Sequence, residues 1–191
     1  DYISQNNHLI TIARYLRTYT FSRLHADIIL ITSFFEGFVD NCLVEFEPDL
    51  IKSLIVSIFY DLIPLLNSNL YLKRNPQFAS FYKSKLKRLK KLDGFLAISD
   101  SSAKEVTKYL EFSPDKVFNI SSACDTEIFN TYSPVISNKD FNVDDLTPFI
   151  LYVGASDPRK NVKNLLLAFS KLPKQYRNYK LILAGKLLNP E

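Results

Sequence analysis

The sequence predicts an α/β fold built on parallel β-sheets, and three features of the 191 residues lead to this prediction. Short apolar, β-branched runs alternate with longer segments whose apolar residues recur at helical spacing. Polar or glycine-containing turns follow most of the short runs, as they do where a strand passes into the helix of a β-α-β unit. A polar, turn-rich stretch at 130–148 then precedes a new strand–helix–strand pattern. We therefore expect two α/β units in series, with helices on both faces of the sheets.

The first four elements follow from periodicity and residue type. Residues 8–25 are predicted to form a helix because their apolar side chains recur at helical spacing. Residues 27–31 (DIILI) form a continuous apolar run, which is typical of a strand buried on both faces of a parallel sheet. Residues 38–54 are expected to be helical in part, and residues 54–60 (LIVSIFY) predict a second buried strand.

The middle of the chain is predicted to contain a long amphipathic helix and a third strand. Pro64 is expected to stop any regular element after the second strand. Residues 76–92 place their apolar side chains on one helical stripe with the lysines opposite, and Gly94 is expected to end this helix. Residues 95–98 (FLAI) then predict the third strand.

A capped helix and a fourth strand are predicted next. Ser102 and Glu105 have the spacing of a capping box, which indicates a helix that runs from there to Leu110. After the break at Pro114, residues 116–120 predict a strand. The pattern then begins again beyond the polar stretch, where residues 149–153 predict another strand.

The last elements complete the second unit and give the expected domain boundaries. Asn161 is placed as the cap of a helix, and residues 180–184 predict the strand that follows it. We expect a first domain at 1–129, a linker at 130–148 and the start of a second domain at 149–191. The chain contains no methionine, so we expect a fragment or a processed chain. We expect both domains to be truncated.

Composition and missing motifs exclude several classes of protein. A hydrophobic content of 47% with 14% aromatic residues predicts a packed core rather than a disordered tail. The sequence has no G-x-S-x-G elbow, no G-x-G-x-x-G and no Walker loop, which disfavours serine hydrolase, NAD and P-loop chemistry. Neither the two cysteines nor the two histidines have the spacing of metal ligands, so no metal site is predicted.

The net charge of +4 is unevenly distributed along the chain. Residues 83–91 (KSKLKRLKK) carry cations and no acid. One interpretation is a solvated helix face, and the other is peripheral contact with an anionic membrane or a phosphate-bearing ligand. No basic groove with interleaved aromatic residues accompanies the cluster, which disfavours nucleic acid as a partner.

Candidate ligand sites lie in the loops that follow the predicted strands, because open parallel sheets bind ligands at their carboxyl edge. In the most informative loop, Gly154 ends a strand, and Arg159 with Lys160 stands just before a helix whose free amides favour an anion. A diphosphate is the predicted ligand, and an ordinary solvated turn is the alternative. The four loops are residues 32–37, 60–64, 99–101 and 154–160.

Five segments together resemble retaining, family 4-type glycosyltransferases of the GT-B fold. LYVGASDPRKNVKNLLLAF resembles the opening of the family's donor-binding domain. FYDLIPLL, DGFLAISDSSAKEVTKYL and VFNISSACDTEIF resemble upstream motifs of the family, in the family's order. SFFEGFVD is similar to the acceptor-side loop of the members that build polysaccharides. The resemblance therefore covers nearly the whole chain.

This resemblance implies two Rossmann-like domains, the first binding the acceptor and the second binding the nucleotide sugar. Carried over by position, Asp61 and Tyr60 would be the catalytic residues beside the transferred sugar. Glu36, Gly37 and Ser99 would lie on the acceptor side. The residues alone also allow a structural role for each of three positions. Asp61 could cap a turn, Glu36 could be a surface acid, and Tyr60 could be a core residue.

The second domain would contribute the donor site. Gly154, Arg159 and Lys160 would bind the donor diphosphate. No metal or other cofactor is implied, because protein cations and helix amides would neutralise the departing diphosphate. Three positions depart from the family pattern. Relatives commonly have Arg at Ala155 and His at Tyr60, and Ala123 replaces a usual glycine.

The sequence thus predicts a segment of a hexosyltransferase that acts in surface polysaccharide biosynthesis. It would transfer a mannose-like hexose from a nucleoside diphosphate sugar to a glycan or lipid-linked acceptor, in the cytoplasm or at the inner face of the membrane. The family's two-glutamate motif does not occur in the 191 residues, so we expect the fragment itself to be inactive. A catalytically silent GT-B-like binding module and a sugar-nucleotide epimerase are the alternatives.

Overall fold

The structure is a computed structural model that describes residues 7–40, 42–127, 129, 148–155 and 157–185. The chain divides into two compact units, Asp1–Cys124 and Asp125–Glu191. The predicted linker lies outside the described residues except at Pro148, so the predicted domain boundaries stay a prediction.

The first unit contains a four-stranded parallel sheet. In the register of this sheet, Ile28 pairs with Leu54, Val56 with Gly94, and Phe95 with Val117. Strand order follows sequence order, so the carboxyl ends of the strands, and the loops that leave them, lie on one edge. The strands are β1 (Ile28–Ile31), β2 (Leu54–Phe59), β3 (Gly94–Ala97) and β4 (Val117–Asn119).

Helices connect the strands of this sheet. Asn75 caps α4 with its side chain, and Pro76 occupies the first helical position, where a missing amide proton is tolerated. Ser99 caps α5 in the same way. The helices of the unit are α1 (Asn7–Arg23), α2 (Ile63–Leu66), α3 (Ser68–Tyr71), α4 (Pro76–Leu89) and α5 (Asp100–Tyr109), with short 3₁₀ turns at Pro48–Leu50 and Pro114–Lys116.

The hydrophobic core lies between the sheet and the helices of the first unit. Phe95 and Val106 are fully buried where β3 meets α5, and Ile55, Phe59 and Leu89 are almost fully buried. The cluster consists of Ile31, Phe34, Val44, Phe46, Ile55, Phe59, Leu62, Leu89, Leu92, Phe95, Val106 and Leu110. The core therefore extends up to the carboxyl edge of the sheet, where Phe34 and Leu62 belong to loops.

The second unit contains a strand–helix–strand arrangement. Strand β5 (Phe149–Val153) pairs in parallel with β6 (Lys180–Ala184), and α6 (Val162–Ser170) connects them after a 3₁₀ turn at Pro158–Lys160. A second 3₁₀ turn at Lys174–Tyr176 precedes β6. The predicted α/β class with parallel sheets is thus confirmed.

Several local predictions need correction. Ile28 and Leu30 are 57% and 48% exposed on one face of β1, so this strand is not buried on both faces. Pro64 stands in the first turn of α2, where proline is tolerated, and does not stop regular structure. Among the described residues of the segment 38–54, the 3₁₀ turn Pro48–Leu50 is the only helical element before β2. Gly94 begins β3 and does not end α4.

No helix among the described residues combines the length and the apolar composition needed to cross a bilayer. The longest one, α1, presents Tyr15, Leu16 and Tyr19 at its surface. A side-chain contact ties this helix to the irregular segment before β2, because the hydroxyl of Thr18 accepts a hydrogen bond from the Glu47 amide at 2.9 Å.

Candidate functional site

The carboxyl edge of the first sheet contains a pocket of about 310 Å³, which we call the Asp61 pocket. Its walls come from the loop after β1, the loop after β2 and the inner face of α4. The predicted catalytic residues Tyr60 and Asp61 both line it. The residues that line it include Ser33, Phe35, Tyr60, Asp61, Phe78 and Tyr82.

Asp61 uses one carboxylate oxygen to shape the loop that carries it. Its Oδ1 accepts a hydrogen bond from the Ile63 amide at 2.9 Å, so the side chain caps the turn into α2. Within the described part of the chain, its other oxygen has no hydrogen-bond partner. Tyr60 is 51% exposed, which excludes the interpretation of this side chain as a core residue.

Two side chains of α5 hold the loop after β2 in place. The Ser102 hydroxyl donates a hydrogen bond to the Tyr60 carbonyl at 2.6 Å. The amide of Leu62, a fully buried residue, donates to Glu105 Oε2 at 2.7 Å. The predicted capping box of Ser102 with Glu105 is therefore wrong, because both side chains bind the loop after β2. Ser99 caps the helix instead. Sequence spacing signalled these residues but assigned them a local partner.

Ser99, predicted on the acceptor side, has a structural task at the same edge. Its hydroxyl accepts a hydrogen bond from the Ser102 amide at 3.1 Å and thereby caps α5. Asp100 beside it accepts a hydrogen bond from the Asn119 side chain at 2.6 Å, which links the start of α5 to the end of β4. Ser99 does not line the Asp61 pocket.

Glu36 and Gly37 lie in the loop after β1. Glu36 is exposed and accepts a short hydrogen bond of 2.6 Å from Ser33, which itself lines the Asp61 pocket. Gly37 has a φ of +101°, and a Cβ at this position would come within 2.3 Å of the Cys42 carbonyl oxygen. The loop therefore requires glycine at position 37 for its own closure.

Gly37 also lines a second and larger pocket of about 600 Å³, which we call the Lys85 pocket. Helix α4 separates the two pockets, because Gln77, Phe81, Ser84, Lys85 and Arg88 line the Lys85 pocket while Phe78, Tyr82 and Leu89 line the Asp61 pocket. The acceptor-side prediction for Gly37 thus falls in a different pocket from Tyr60 and Asp61.

A buried ion pair lies in the wall of the Lys85 pocket. Lys85 Nζ is 3.1 Å from Glu45 Oε1, and the Lys85 side chain is only 3% exposed. Burial lowers the pKa of Lys85 below its usual value, and the carboxylate of Glu45 opposes that shift. Arg14 and Arg88 each approach Glu47 Oε1, at 3.3 and 3.6 Å. The cluster fastens α1 and α4 to the irregular segment before β2.

This arrangement corrects the prediction that the lysines of residues 83–91 all lie opposite the apolar stripe. Lys85 lies within the packed face of α4. Lys90 and Lys91 make exposed ion pairs with Glu111 and Asp49, at 3.4 and 3.0 Å. Much of the positive charge in this segment is therefore matched by acids from elsewhere in the first unit.

Tyr82 is a residue of the Asp61 pocket that the sequence did not single out. Its side chain is 2% exposed, and its hydroxyl has no hydrogen-bond partner in the described part of the chain. The ring of Phe35 stacks on it at 4.8 Å, and the ring of Phe78 lies 5.8 Å away. Burial raises the pKa of Tyr82 well above its ordinary value, and the negative charge of Asp61 adds to that shift. The phenol is therefore a proton donor at neutral pH.

The second unit contains the predicted diphosphate loop. Gly154 extends the β-ladder through its amide, which donates to the Ala184 carbonyl at 2.9 Å. A Cβ at Gly185, which has a φ of +144°, would come within 2.0 Å of the Gly154 carbonyl oxygen. The backbones at the ends of β5 and β6 therefore approach as closely as glycine permits.

Arg159 and Lys160 differ in how their side chains are engaged. The guanidinium of Arg159 makes two contacts of 3.2 Å with the carboxylate of Asp157. Lys160 is exposed and makes no ion pair with any described residue. Asn161 precedes α6 in a left-handed conformation with φ +55°, and its side chain gives no capping hydrogen bond to the first turn. Lys160 thus stands next to a helix start that lacks a side-chain cap.

No three His, Cys, Asp or Glu side chains converge in a way that could hold a metal ion within the residues that the structure describes. In the first unit, the candidate region combines the Asp61 carboxylate with the buried phenol of Tyr82. In the second unit, it combines Lys160 with the amides at the start of α6.

Comparison with known proteins gives a family. Residues 136–191 match the family described as Glycosyl transferases group 1. The resemblance predicted from the sequence motifs is thereby confirmed, and the matched segment contains Gly154, Arg159 and Lys160.

Curated relatives extend the similarity beyond the segment that matches the group 1 glycosyltransferases. The chain is 37% identical over 180 residues to a serotype-specific mannosyltransferase, WbdA, of Escherichia coli, and this alignment covers 92% of the chain and 22% of the relative. Another WbdA of Escherichia coli is 36% identical over 184 residues, covering 94% of the chain and 22% of the relative. An O-antigen chain mannosyltransferase B of the same organism is 30% identical over 95 residues, covering 47% of the chain and 24% of the relative.

The chain spans about a fifth of the length of the first two of these relatives. An alignment that covers 92% of the chain necessarily includes Tyr60 and Asp61, which lie well inside it. Both candidate regions therefore fall within the part of the chain that is similar to mannosyltransferases.

Proposed function

We propose that the complete protein containing this chain is a hexosyltransferase that uses a nucleoside diphosphate sugar, with mannose as the transferred hexose. Its acceptor would be a glycan or lipid-linked glycan in surface polysaccharide biosynthesis. The match of residues 136–191 to the group 1 glycosyltransferases and the similarity to mannosyltransferases named for serotype and O-antigen support this proposal.

The observation that carries the proposal is the setting of Lys160. A departing nucleoside diphosphate gains negative charge as the glycosidic bond breaks. A cation in contact with the diphosphate therefore stabilises the transition state more than the ground state. Lys160 has no acidic partner among the described residues, whereas Arg159 is already bound to Asp157. The amides at the start of α6 add partial positive charge at the same place. We therefore assign the diphosphate contact to Lys160 first, with Gly154 and Arg159 as its neighbours.

In the complete protein, Lys160→Ala should lower kcat about a hundredfold, or about 3 kcal/mol, because a contact that strengthens in the transition state is lost. The melting temperature should stay unchanged, since Lys160 is exposed. Steady-state transfer of mannose from a nucleoside diphosphate mannose measures the first effect, and thermal unfolding measures the second.

Two matched variants make this test specific. Lys171→Ala removes an exposed lysine at the opposite end of α6 and should leave kcat unchanged. Arg159→Ala should cost less than Lys160→Ala because its guanidinium is held by Asp157. The assignment is wrong if Arg159→Ala abolishes transfer while Lys160→Ala keeps normal kcat/KM. Binding of the sugar nucleotide by the complete protein without any transfer would identify a catalytically silent module instead.

In the first unit, we assign Asp61 and Tyr60 to contact with the transferred sugar, beside the reacting bond. The acceptor side is assigned to Glu36, Gly37 and Ser99. Asp61 has one carboxylate oxygen unengaged in the described part of the chain, and Tyr60 is half exposed at the same edge. A peripheral contact with anionic membrane would involve Lys83 and Lys87, which are exposed and make no ion pair with any described residue.

A further inference from the structure

Tyr82 retains a hydroxyl that the fold itself does not use. An unpartnered polar group that is buried destabilises the folded state relative to one that is hydrogen-bonded, and such groups are rare in native proteins. A phenylalanine would fill the same volume without that cost, and Phe35 and Phe78 already pack on the ring of Tyr82. The hydroxyl therefore calls for a partner that is not among the described residues.

The surroundings of this hydroxyl define what the partner must offer. The backbone amide of Leu65 lies close enough to lower the pKa of the Tyr82 phenol, but this amide already donates a hydrogen bond to the Leu62 carbonyl at 2.9 Å. An amide proton also could not receive the phenol proton, so the missing partner is a hydrogen-bond acceptor. Because the two neighbouring rings pack on that of Tyr82, the hydroxyl has a fixed position.

Asp61 lines the same pocket and offers the complementary group. One of its carboxylate oxygens is engaged by the Ile63 amide, and the other can accept a hydrogen bond. A ligand with several hydroxyl groups offers both an acceptor for Tyr82 and a donor for Asp61. The aromatic and apolar walls, including Phe35 and Pro64, match the C–H face of such a ring.

We propose that Tyr82 is a sugar-binding residue, whose buried hydroxyl donates a hydrogen bond to a ring hydroxyl of a hexose held in the Asp61 pocket. This inference rests on the proposed function for the identity of the ligand as a sugar. The pocket volume of about 310 Å³ is at the lower end of the range for small-molecule sites, which fits one sugar ring rather than an oligosaccharide. The ring belongs either to the donor sugar or to the terminal residue of the acceptor.

The test compares Tyr82→Phe with the wild type in the complete protein. Loss of the donor should raise the KM of the substrate whose sugar occupies the pocket about tenfold, with little change in kcat, because the hydrogen bond is present before and during the reaction. A rise in the KM of nucleoside diphosphate mannose identifies the donor sugar, and a rise in the KM of the acceptor identifies the acceptor sugar. Tyr109→Phe, on the exposed surface of α5, is the matched control and should change neither KM.

A direct binding measurement separates this role from a structural one. Methyl α-mannopyranoside and its four monodeoxy analogues are titrated against wild type and Tyr82→Phe by ligand-observed NMR. One monodeoxy analogue should bind the wild type as weakly as the parent sugar binds Tyr82→Phe. The same analogue should bind Tyr82→Phe no more weakly still, because both changes remove the same hydrogen bond. The melting temperature of Tyr82→Phe should be equal to or above that of the wild type, because the unpartnered hydroxyl is gone.

The outcomes distinguish this inference from the proposed function. Mannose transfer by the wild type together with unchanged KM values and sugar binding in Tyr82→Phe would overturn the inference and leave the function standing. A lower melting temperature with unchanged sugar binding would likewise overturn it, since the hydroxyl would then serve the fold. Tyr82-dependent binding of methyl mannopyranoside by a wild type that transfers no sugar would uphold the pocket and overturn the function.

Discussion

The two units of the chain use the same order of strand, helix and strand, yet they bury their residues very differently. In the first unit, β2 lies between two strands, and Ile55 and Phe59 are almost completely buried. In the second unit, β5 pairs only with β6 among the described residues, and Val153 is 73% exposed. An apolar run in the sequence thus predicts a strand, while burial depends on what lies on both sides of it.

The polar residues of the two units differ in the same way. In the first unit, charged and polar side chains such as Glu45, Lys85 and Glu105 lie inside the packing and hold segments together. In the second unit, Lys160 stands at the surface beside the first turn of α6. Substitution of these buried side chains should therefore change stability, whereas substitution of Lys160 should change activity alone.

The largest effect is expected at Glu45. Glu45→Gln removes the charge that faces buried Lys85, and breaking one partner of a buried pair costs about 3–5 kcal/mol of unfolding free energy. Denaturant unfolding of the complete protein measures the loss. Glu111→Gln is the control, because its ion pair with Lys90 is exposed and contributes about 0–1 kcal/mol. Equal stability of the two variants would show that the buried cluster does not hold α1 and α4.

The pH dependence of the same variant sharpens the result. Without Glu45, the main group that opposes the effect of burial is lost, and the pKa of Lys85 in the folded state falls further below its unfolded value. Between these two pKa values the unfolded chain binds more protons, so the unfolding free energy of Glu45→Gln should rise with pH more steeply than that of the wild type. Parallel pH profiles would contradict this assignment.

A smaller effect is expected at Glu105. Glu105→Ala leaves the amide of buried Leu62 without a partner, which costs about 1–3 kcal/mol, and it loosens the loop that carries Asp61. Stability and transfer activity of the complete protein should therefore fall together. Glu105→Gln keeps an acceptor oxygen and should restore much of both, while Lys104→Ala, on the exposed face of α5, should change neither. Full activity in Glu105→Ala would separate the loop from the reaction.

The smallest effect is expected at the exposed lysines of α4. If Lys83 and Lys87 contact anionic lipid, replacing both with glutamine should weaken vesicle binding of the complete protein by about 1 kcal/mol per lysine at low salt. Sedimentation with vesicles containing phosphatidylserine measures this. The double replacement of Lys171 and Lys174 in the second unit is the charge-matched control. Unchanged binding in Lys83→Gln/Lys87→Gln leaves a solvated face as the role of these lysines.

Local patterns predicted the strands and helices well because short apolar runs and helical spacing are local properties. They could not predict the exposure of Ile28 and of Leu54, its partner in β2, because an apolar run does not show which face of a strand is covered. They also misplaced Lys85, because its partner Glu45 is 40 residues away in an irregular segment that no periodicity describes.

The candidate site was predictable to a similar extent. Tyr60 and Asp61 could be singled out because they follow a strand, and the carboxyl edge of a parallel sheet is where ligands bind. Tyr82 was assigned to an apolar stripe together with Phe78 and Phe81, since spacing cannot tell a phenol from a phenyl ring in that position. Only the packing of α4 against the loops shows that Tyr82 lines the same pocket as Asp61 and that its hydroxyl has no partner in the described part of the chain.

The close approach of Gly154 and Gly185 has a consequence for how variation at these positions is interpreted. A methyl group at Gly185 would overlap the Gly154 carbonyl, and one at Gly154 would come within 2.8 Å of the Tyr152 hydroxyl. Purifying selection on the backbone alone will remove substitutions at both codons, whatever the protein binds. An invariant glycine here records the geometry of two neighbouring strands, and the selective trace of diphosphate binding is to be sought at position 160.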